Sequence, residues 1–358
     1  MFTVEMLAAD HGDCLWVEWG SGAARYKMLI DGGTANTAAA LKAKLTALPV
    51  AARRFELVVI THIDSDHIAG VIELLRAPDL HLSIGEVWFN GYQALRDFEA
   101  TRGALQGETL SALIQEKRLK HNVSFGDRVV RVPPHGPLPT FTLPGAMVLT
   151  LLSPRDEELR KLRAAWEREC EAAGLRPGRA PPQAKGEARR RRAREAALAA
   201  LEPLVERPFE QDDAPANGSS IAFLAQCEGA ACLFTGDAYP EVINDSLERY
   251  FRAHGNAPLT LDAMKVPHHG SRNNLDWSCL QRFDCRRFLV STDGGIFDHP
   301  DPETLARLVL YGAEGCEIVC NYRNPRVLAL GAGALTGRHR HRVTVPDEGQ
   351  EGIAVRLV

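Results

Sequence analysis

The chain has 358 residues, 45% of them hydrophobic and 25% charged, a balance that excludes disorder and collagen-like repeats and supplies a large core. A formal net charge of −4 provides no global basic field, so any nucleic-acid contact has to be local. No apolar run approaches transmembrane length, and no Cys-x-x-Cys pair occurs among the eight cysteines, which argues against a cysteine-rich zinc site. No secretory signal is read at Met1-Phe2-Thr3-Val4-Glu5, so the expectation is a cytoplasmic protein with reduced thiols.

Taken in chain order, the first third is strand-rich. Alternating or apolar runs predict strands at Phe2–Ala8, Cys14–Trp19, Tyr26–Ile30 and Phe55–Ile60, separated by turn signals such as Asp10-His11-Gly12-Asp13 and Asp31-Gly32-Gly33. Helices are expected at Ala38–Leu48 and Ile68–Arg76, then around Gln93–Ala100 and Thr109–Lys120. Strands at Val87–Asn90 and Met147–Leu152 follow. From 155 to 210 the composition shifts to Arg, Ala and Glu, with the run Arg189-Arg190-Arg191-Arg192-Ala193-Arg194. That segment reads as a helical insertion, two helices on a Pro-rich linker. Its basic run is either a solvated helix face, a phosphate-backbone contact or a docking surface for a protein partner.

The strand pattern returns at Ser220–Gln226 and Ala231–Thr235, then Leu261–Val266, Arg287–Ser291, Cys316–Asn321 and Ile353–Val358. Helices are expected at Tyr239–His254, Asn274–Arg282 and Pro302–Leu310. Two halves sharing one plan predict a single α/β domain over 1–358, with helices covering sheets.

The chemistry concentrates at strand ends. Thr61-His62-Ile63-Asp64-Ser65-Asp66-His67 puts four metal-capable side chains within six residues, directly after an apolar strand. Imidazoles mixed with carboxylates suit Zn²⁺ or Mn²⁺, and four such groups suffice for two adjacent cations. The plain alternative is a polar turn with Asp66 as helix N-cap. Asp237 follows Phe234-Thr235-Gly236, where it could bridge two cations or merely cap a helix. His268 and His269 follow Val266-Pro267. Adjacent side chains on an extended chain diverge, so one imidazole is expected as a ligand, with His268 preferred and the reverse open. Asn217-Gly218-Ser219-Ser220 reads as a turn whose polar groups could reach the site, and Asp31 as a hydrogen-bond acceptor for ligand histidines. His299, in Phe297-Asp298-His299-Pro300, is weaker on its own.

As a set, His62-x-Asp64-x-Asp66-His67, Gly236-Asp237 and His268-His269-Gly270-Ser271 resemble the metallo-β-lactamase superfamily. Asp64 where that motif usually has its second His, together with Gly12-Asp13-Cys14, Leu29-Ile30-Asp31-Gly32-Gly33, Asn217-Gly218-Ser219-Ser220 and His299-Pro300, is similar to the β-lactamase-like domain of ComEC-type DNA-uptake proteins. The resemblance runs from residue 2 to about 300, skipping the insertion. It implies an αββα sandwich of two βα halves. His62 and Asp64 would hold one metal, Asp66 and His67 the other, with Asp237 bridging and His268 or His269 completing the second.

Asp66, His269 and His299 would then be catalytic, His299 protonating the leaving oxygen, with Asn217, Ser219 and Ser271 on the substrate side. No His stands where the superfamily supplies a third ligand to the first metal; His121 and His135 fall in that interval, and Asn217 near that place. A hydroxide between the cations would attack a phosphodiester of nucleic acid or a nucleotide. The alternatives are a lactonase or thioester hydrolase, and a metal-stabilised scaffold subunit. No membrane channel accompanies the domain, so DNA transport does not carry over.

Overall fold

The computed structural model describes residues 1–22, 24–97, 105–172 and 200–358. Two large sheets face each other. Edge to edge, the six-stranded sheet runs Ile353–Arg356, Phe2–Met6, Leu15–Trp19, Tyr26–Ile30, Leu57–Val59 and Val87–Trp88. Its first four strands are antiparallel, and its last three are joined in parallel. The eight-stranded sheet runs Arg342–Thr344, Glu317–Cys320, Arg287–Val290, Ala263–Lys265, Ala230–Phe234, Ala222–Cys227, Met147–Ser153 and Thr140–Leu143. Its parallel half, from Ala230–Phe234 to Arg342–Thr344, continues into an antiparallel half.

Residue alternation dictates the layering. Phe2, Val4, Met6, Leu15, Val17, Trp19, Met28 and Ile30 turn inward against Leu149, Leu151, Phe223, Ala225, Cys232 and Phe234. Their neighbours Trp16, Leu29 and Val58 turn outward to meet Leu41, Leu45, Ile68, Val71 and Ile72 from helices. On the far side Leu224, Leu233, Phe288 and Ile318 meet Ile243, Leu247, Leu305 and Leu308. Period-two strands feeding three apolar layers make an αββα sandwich. Phe223 lies wholly buried between the sheets, where truncation to Ala costs about 3–5 kcal/mol.

Several expected elements shift. The first helix runs Thr37–Thr46, and the helix expected at Asn274–Arg282 shrinks to Trp277–Leu280. Phe55–Ile60 is interrupted at Glu56, giving Arg54–Phe55 in a small side sheet and Leu57–Val59 in the main one. The helix expected from Ile68 starts at Ser65, so Asp66 and His67 lie in its first turn and Asp64, not Asp66, takes the N-cap position. Edge strands Thr140–Leu143 and Arg342–Thr344 are additional to the expected elements.

The first helix of the Arg-rich segment, Asp156–Ala172, is no appendage. Leu159, Leu162 and Trp166 are fully packed into the outer layer over the six-stranded sheet. The Arg189–Arg194 run lies outside the described residues. All eight cysteines are buried, and none is in a disulfide. Among the described residues, no helix is long and apolar enough to cross a membrane.

Candidate metal centre

Parallel strands from both sheets deliver their carboxyl ends to one edge, where open α/β sheets place ligands. Tyr26–Ile30 leads to Asp31, Leu57–Val59 to His62, Ala230–Phe234 to Asp237, Ala263–Lys265 to His268 and His269, and Arg287–Val290 to His299. The two sheets are tied along this edge by Ile221 N–H to the Thr61 carbonyl (2.9 Å) and by Ser291 Oγ to the Gly12 carbonyl (2.8 Å). Gly12 packs so closely on Asp66 that a Cβ there would lie 1.8 Å from the Asp66 carbonyl oxygen. Gly236 has φ +51°, a left-handed turn that aims Asp237 back into the edge.

Asp237 is the hub. Its Oδ2 lies 3.6 Å from His62 Nε2, 3.5 Å from His67 Nε2, 3.8 Å from His268 Nε2 and 3.9 Å from His269 Nε2. The hydrogen bonds at the opposite ring nitrogens fix each tautomer. His67 Nδ1 donates to Asp31 (2.8 Å), and His269 Nδ1 donates to the Ser291 carbonyl (2.9 Å). Asn274 donates its amide to Asp212 and to the Asp237 carbonyl, so its oxygen accepts from His268 Nδ1 (2.8 Å). Thr61 donates its hydroxyl to Asp31 (2.6 Å) and so accepts from His62 Nδ1 (3.0 Å). Each of these bonds places a proton on Nδ1, so four imidazole Nε2 atoms are aimed at one carboxylate.

Such a centre is short of positive charge. Buried His62 Nε2 and Asp237 Oδ1 have no hydrogen-bond partner. His67 Nε2 and His269 Nε2 stand 3.2 Å apart, and Asp66 Oδ2 lies 3.5 Å from the latter. Two triads have the spacing a cation needs: His62, His67 and Asp237, and Asp66, His67 and His269. A third, Asp13, Asp31 and His67, has most of its donor atoms spent, with Asp13 Oδ1 alone lacking a hydrogen-bond partner. There Asp13 pairs with buried Lys265 (2.7 Å), and Asp31 accepts from the Thr61 N–H, the Thr61 hydroxyl and His67. The residues fit a divalent cation.

The electrostatics point the same way. Burial opposes ionisation of Asp237, yet the His67, His268, His269 and His62 imidazoles hold it well below the usual carboxylate range. Burial likewise opposes Asp66, and His67 and His269 override it downward. Burial disfavours charge on His269, but Asp13 and Asp237 lift it to about 9. Positive charge is stabilised here, whether it arrives as protons or as a metal.

The expected site residues are distributed as follows. His62, Asp66, His67, Asp237, His268 and His269 converge. Asp64 sits at the rim, 46% exposed, with Oδ2 3.7 Å from His62 Nε2. The His268-His269 stretch is not extended: both residues have positive φ, 46° and 53°, so both rings turn to the centre and the expected divergence does not arise. His269 is the buried one, facing Asp66 and His67, while His268 stays 24% exposed against Asp237. Asn217 donates to Asp212 (2.6 Å) and keeps a buried Oδ1 free of partners. Ser219 gives its hydroxyl to the Ala216 carbonyl within its own turn, and neighbouring Ser220 instead contacts His62 and the Asp237 N–H. Ser271 caps its own turn at Asn273 N–H (3.3 Å). His299 lies behind His268, ring centroids 5.6 Å apart, with burial lowering its pKa against the pull of Asp301. His121 is spent on the Phe89 carbonyl, and His135 is exposed in a loop.

Sequence reading missed Asp212, Lys265 and Asn274, and within the Asn217–Ser220 turn it singled out Ser219 where Ser220 is the one that meets His62. Only Lys265 left a signal, a cation inside an apolar strand, which requires a buried acid.

Residues 9–143 match the model of the metallo-beta-lactamase superfamily, a stretch that includes His62 through His67 and ends before Asp237. No curated protein matches the sequence. Among solved structures, the CmlA beta-hydroxylase E377D mutant is 13% identical with a TM-score of 0.40, over 99% of this chain and 54% of that one, so this chain spans about half its length. The metallo-beta-lactamase fold protein YhfI from Bacillus subtilis is 12% identical with a TM-score of 0.42, over 99% and 98%. Zn(2+)-bound PqqB from Methylobacterium extorquens is 12% identical with a TM-score of 0.41, over 99% and 100%. With two sheets between helical layers and a His/Asp cluster on their shared edge, the chain has the αββα metallo-β-lactamase fold, and residues 9–143 carry the match to that superfamily.

Proposed function

We propose that this protein is a metal-dependent hydrolase of phosphodiesters, acting on nucleic acid or a nucleotide. The carrying observation is the set of four imidazole Nε2 atoms, tautomers fixed, around the Asp237 carboxylate. His62, Asp64 and Asp237 would hold one divalent cation, and Asp66, His67 and His269 a second that also meets Asp237. When bound, such cations supply Lewis acidity and an acidified water. Mixed His and carboxylate donors suit Zn²⁺ and Mn²⁺ alike.

The chain's own groups divide the remaining work. Asp31, Asn274, Thr61 and the Ser291 carbonyl hold the imidazoles in one tautomer. His268, partly exposed at the rim, and Asn217, whose buried oxygen lacks a partner, are the groups proposed to meet the substrate. His299, behind His268, is the residue proposed to protonate the leaving oxygen. Phosphodiester chemistry is favoured by the resemblance to the ComEC-type branch and by the Arg-rich segment, whose run at 189–194 offers phosphate contacts.

The test is metal analysis followed by assay of Mn²⁺- and Zn²⁺-loaded protein on single- and double-stranded DNA, RNA, a small phosphodiester, a lactone and a thioester. Turnover of phosphodiesters alone supports the reading. Turnover only of the lactone or thioester replaces it with acyl hydrolysis. Metal binding without any turnover leaves a metal-stabilised scaffold.

A further inference from the structure

Beside the metal centre, Phe297 is 57% exposed, an apolar ring offered to water at the rim. Its ring stacks near His299, with centroids 6.1 Å apart and planes 27° apart, and meets His11 edge-on at 5.7 Å. His299 in turn lies 5.6 Å from His268, whose Nε2 is 3.8 Å from Asp237 Oδ2. Flat rings thus lead from the rim to the hub.

The exposure is not that of an untethered loop. Arg326 donates to the Asp298 carbonyl and carboxylate and to the Pro300 carbonyl, and Asn324 donates to the His299 carbonyl (3.0 Å). On the other side Asp293 N–H bonds the Asp10 carbonyl (2.8 Å) and Gly295 N–H the Asp293 carboxylate (2.7 Å). The segment is pinned on both flanks of Phe297, so the ring is held out beside the site.

We propose that Phe297 is a stacking residue for the substrate, and that the substrate carries a flat aromatic base next to the scissile phosphodiester. The inference rests on the phosphodiesterase reading and adds to it the residue that meets the base. A phosphodiester offers the metal centre only its phosphate, so discrimination has to come from what flanks it. An apolar ring flanked by imidazoles presents a π-surface that every base can cover, without reading sequence.

The experiment uses the full chain loaded with Mn²⁺. Steady-state kinetics are measured on a deoxydinucleotide and on the same backbone with both bases replaced by hydrogen. Phe297→Ala and Phe297→Leu are expected to raise KM for the dinucleotide by about five- to hundredfold more than for the abasic analogue, and Phe297→Trp to restore it. Equal effects on both substrates, or a Leu variant indistinguishable from the parent, overturn the inference, the latter because apolar bulk would then suffice. If the parent cleaves neither substrate, the phosphodiesterase reading fails by itself. Stacking is then judged on the Zn²⁺-loaded, diamagnetic protein by titrating a deoxynucleoside monophosphate and following its base protons by NMR. Upfield shifts that Phe297→Ala abolishes support it, and their absence overturns it.

Discussion

His67 Nε2 and His269 Nε2 face each other at 3.2 Å, although both rings have already committed Nδ1–H elsewhere. Two lone pairs at that distance, with Asp66 and Asp237 carboxylates alongside, need a positive charge between them. Chelation of bound metal is therefore expected to destabilise the fold. Metal at 100 to 1,000 times its Kd contributes about 3–4 kcal/mol. Thermal unfolding with and without EDTA, then with Mn²⁺ or Zn²⁺ restored, reads this. An unfolding temperature indifferent to chelator would mean that protons, not metal, bridge the pair.

Asp31 touches no part of the hub, yet it orients His67 and Thr61, and Thr61 orients His62. Asp31→Asn is expected to lower metal affinity by about 10–100-fold through misplaced tautomers. Asp237→Ala, at the hub itself, should cost at least the upper end of that range and abolish turnover with it. Competition against a chromogenic chelator gives both affinities. Full activity and full metal content in a folded Asp237→Ala protein would remove the hub from the account.

Lys265 and Asp13 form a wholly buried ion pair of 2.7 Å one layer behind His269. Lys265→Met leaves Asp13 buried with only His269, 3.4 Å away, as a charge partner, at an expected cost of about 3–5 kcal/mol. Replacing both, Lys265→Met with Asp13→Leu, is expected to recover most of that stability while His269 loses the carboxylate 3.4 Å from its Nδ1. Urea denaturation of the single and double variants measures the difference. Equal destabilisation in both would show that the cost is packing, not charge.

Replacing Arg189, Arg190, Arg191 and Arg192 by Ala tests the nucleic-acid assignment from outside the metal centre. Each phosphate contact adds about 0.9 to the slope of log affinity against log salt on duplex DNA. The four substitutions are expected to flatten the slope by up to about 3–4 and to raise KM on long substrates, with a small phosphodiester little affected. An unchanged slope reduces the run to a solvated face or a protein-docking surface.

Much of this was legible in the sequence, and the failures share a cause. Alternation in Phe2-Val4-Met6 announces a face that packs against another sheet, because burial repeats every second residue, while Trp16 makes Leu15–Trp19 apolar on both faces. The His62–His67 segment announces ligands because four such side chains have no packing use at a strand end. The misreadings involve tertiary context. His268 and His269 adopt positive φ, which only the turn closing on Gly236 and Pro300 imposes. Asp212 and Asn274 are unremarkable loop residues until the fold brings them behind His268. Ser219 and Ser220 are chemically identical, and the turn alone decides which one meets His62. Asp156–Ala172 reads by composition as part of an insertion within the domain because its charged face dominates the count, and the packing of Leu159, Leu162 and Trp166 on its other face is visible only in the fold.

The most direct measurement is anomalous X-ray scattering from crystals of the Mn²⁺- or Zn²⁺-loaded protein, recorded on both sides of the metal edge. Two peaks about 3.5–4 Å apart, flanking the Asp237 carboxylate and reached by His62, His67 and His269, are the expected result. No peak in that cage, or one only between Asp13 and Asp31, would contradict the assignment of this edge as the metal centre.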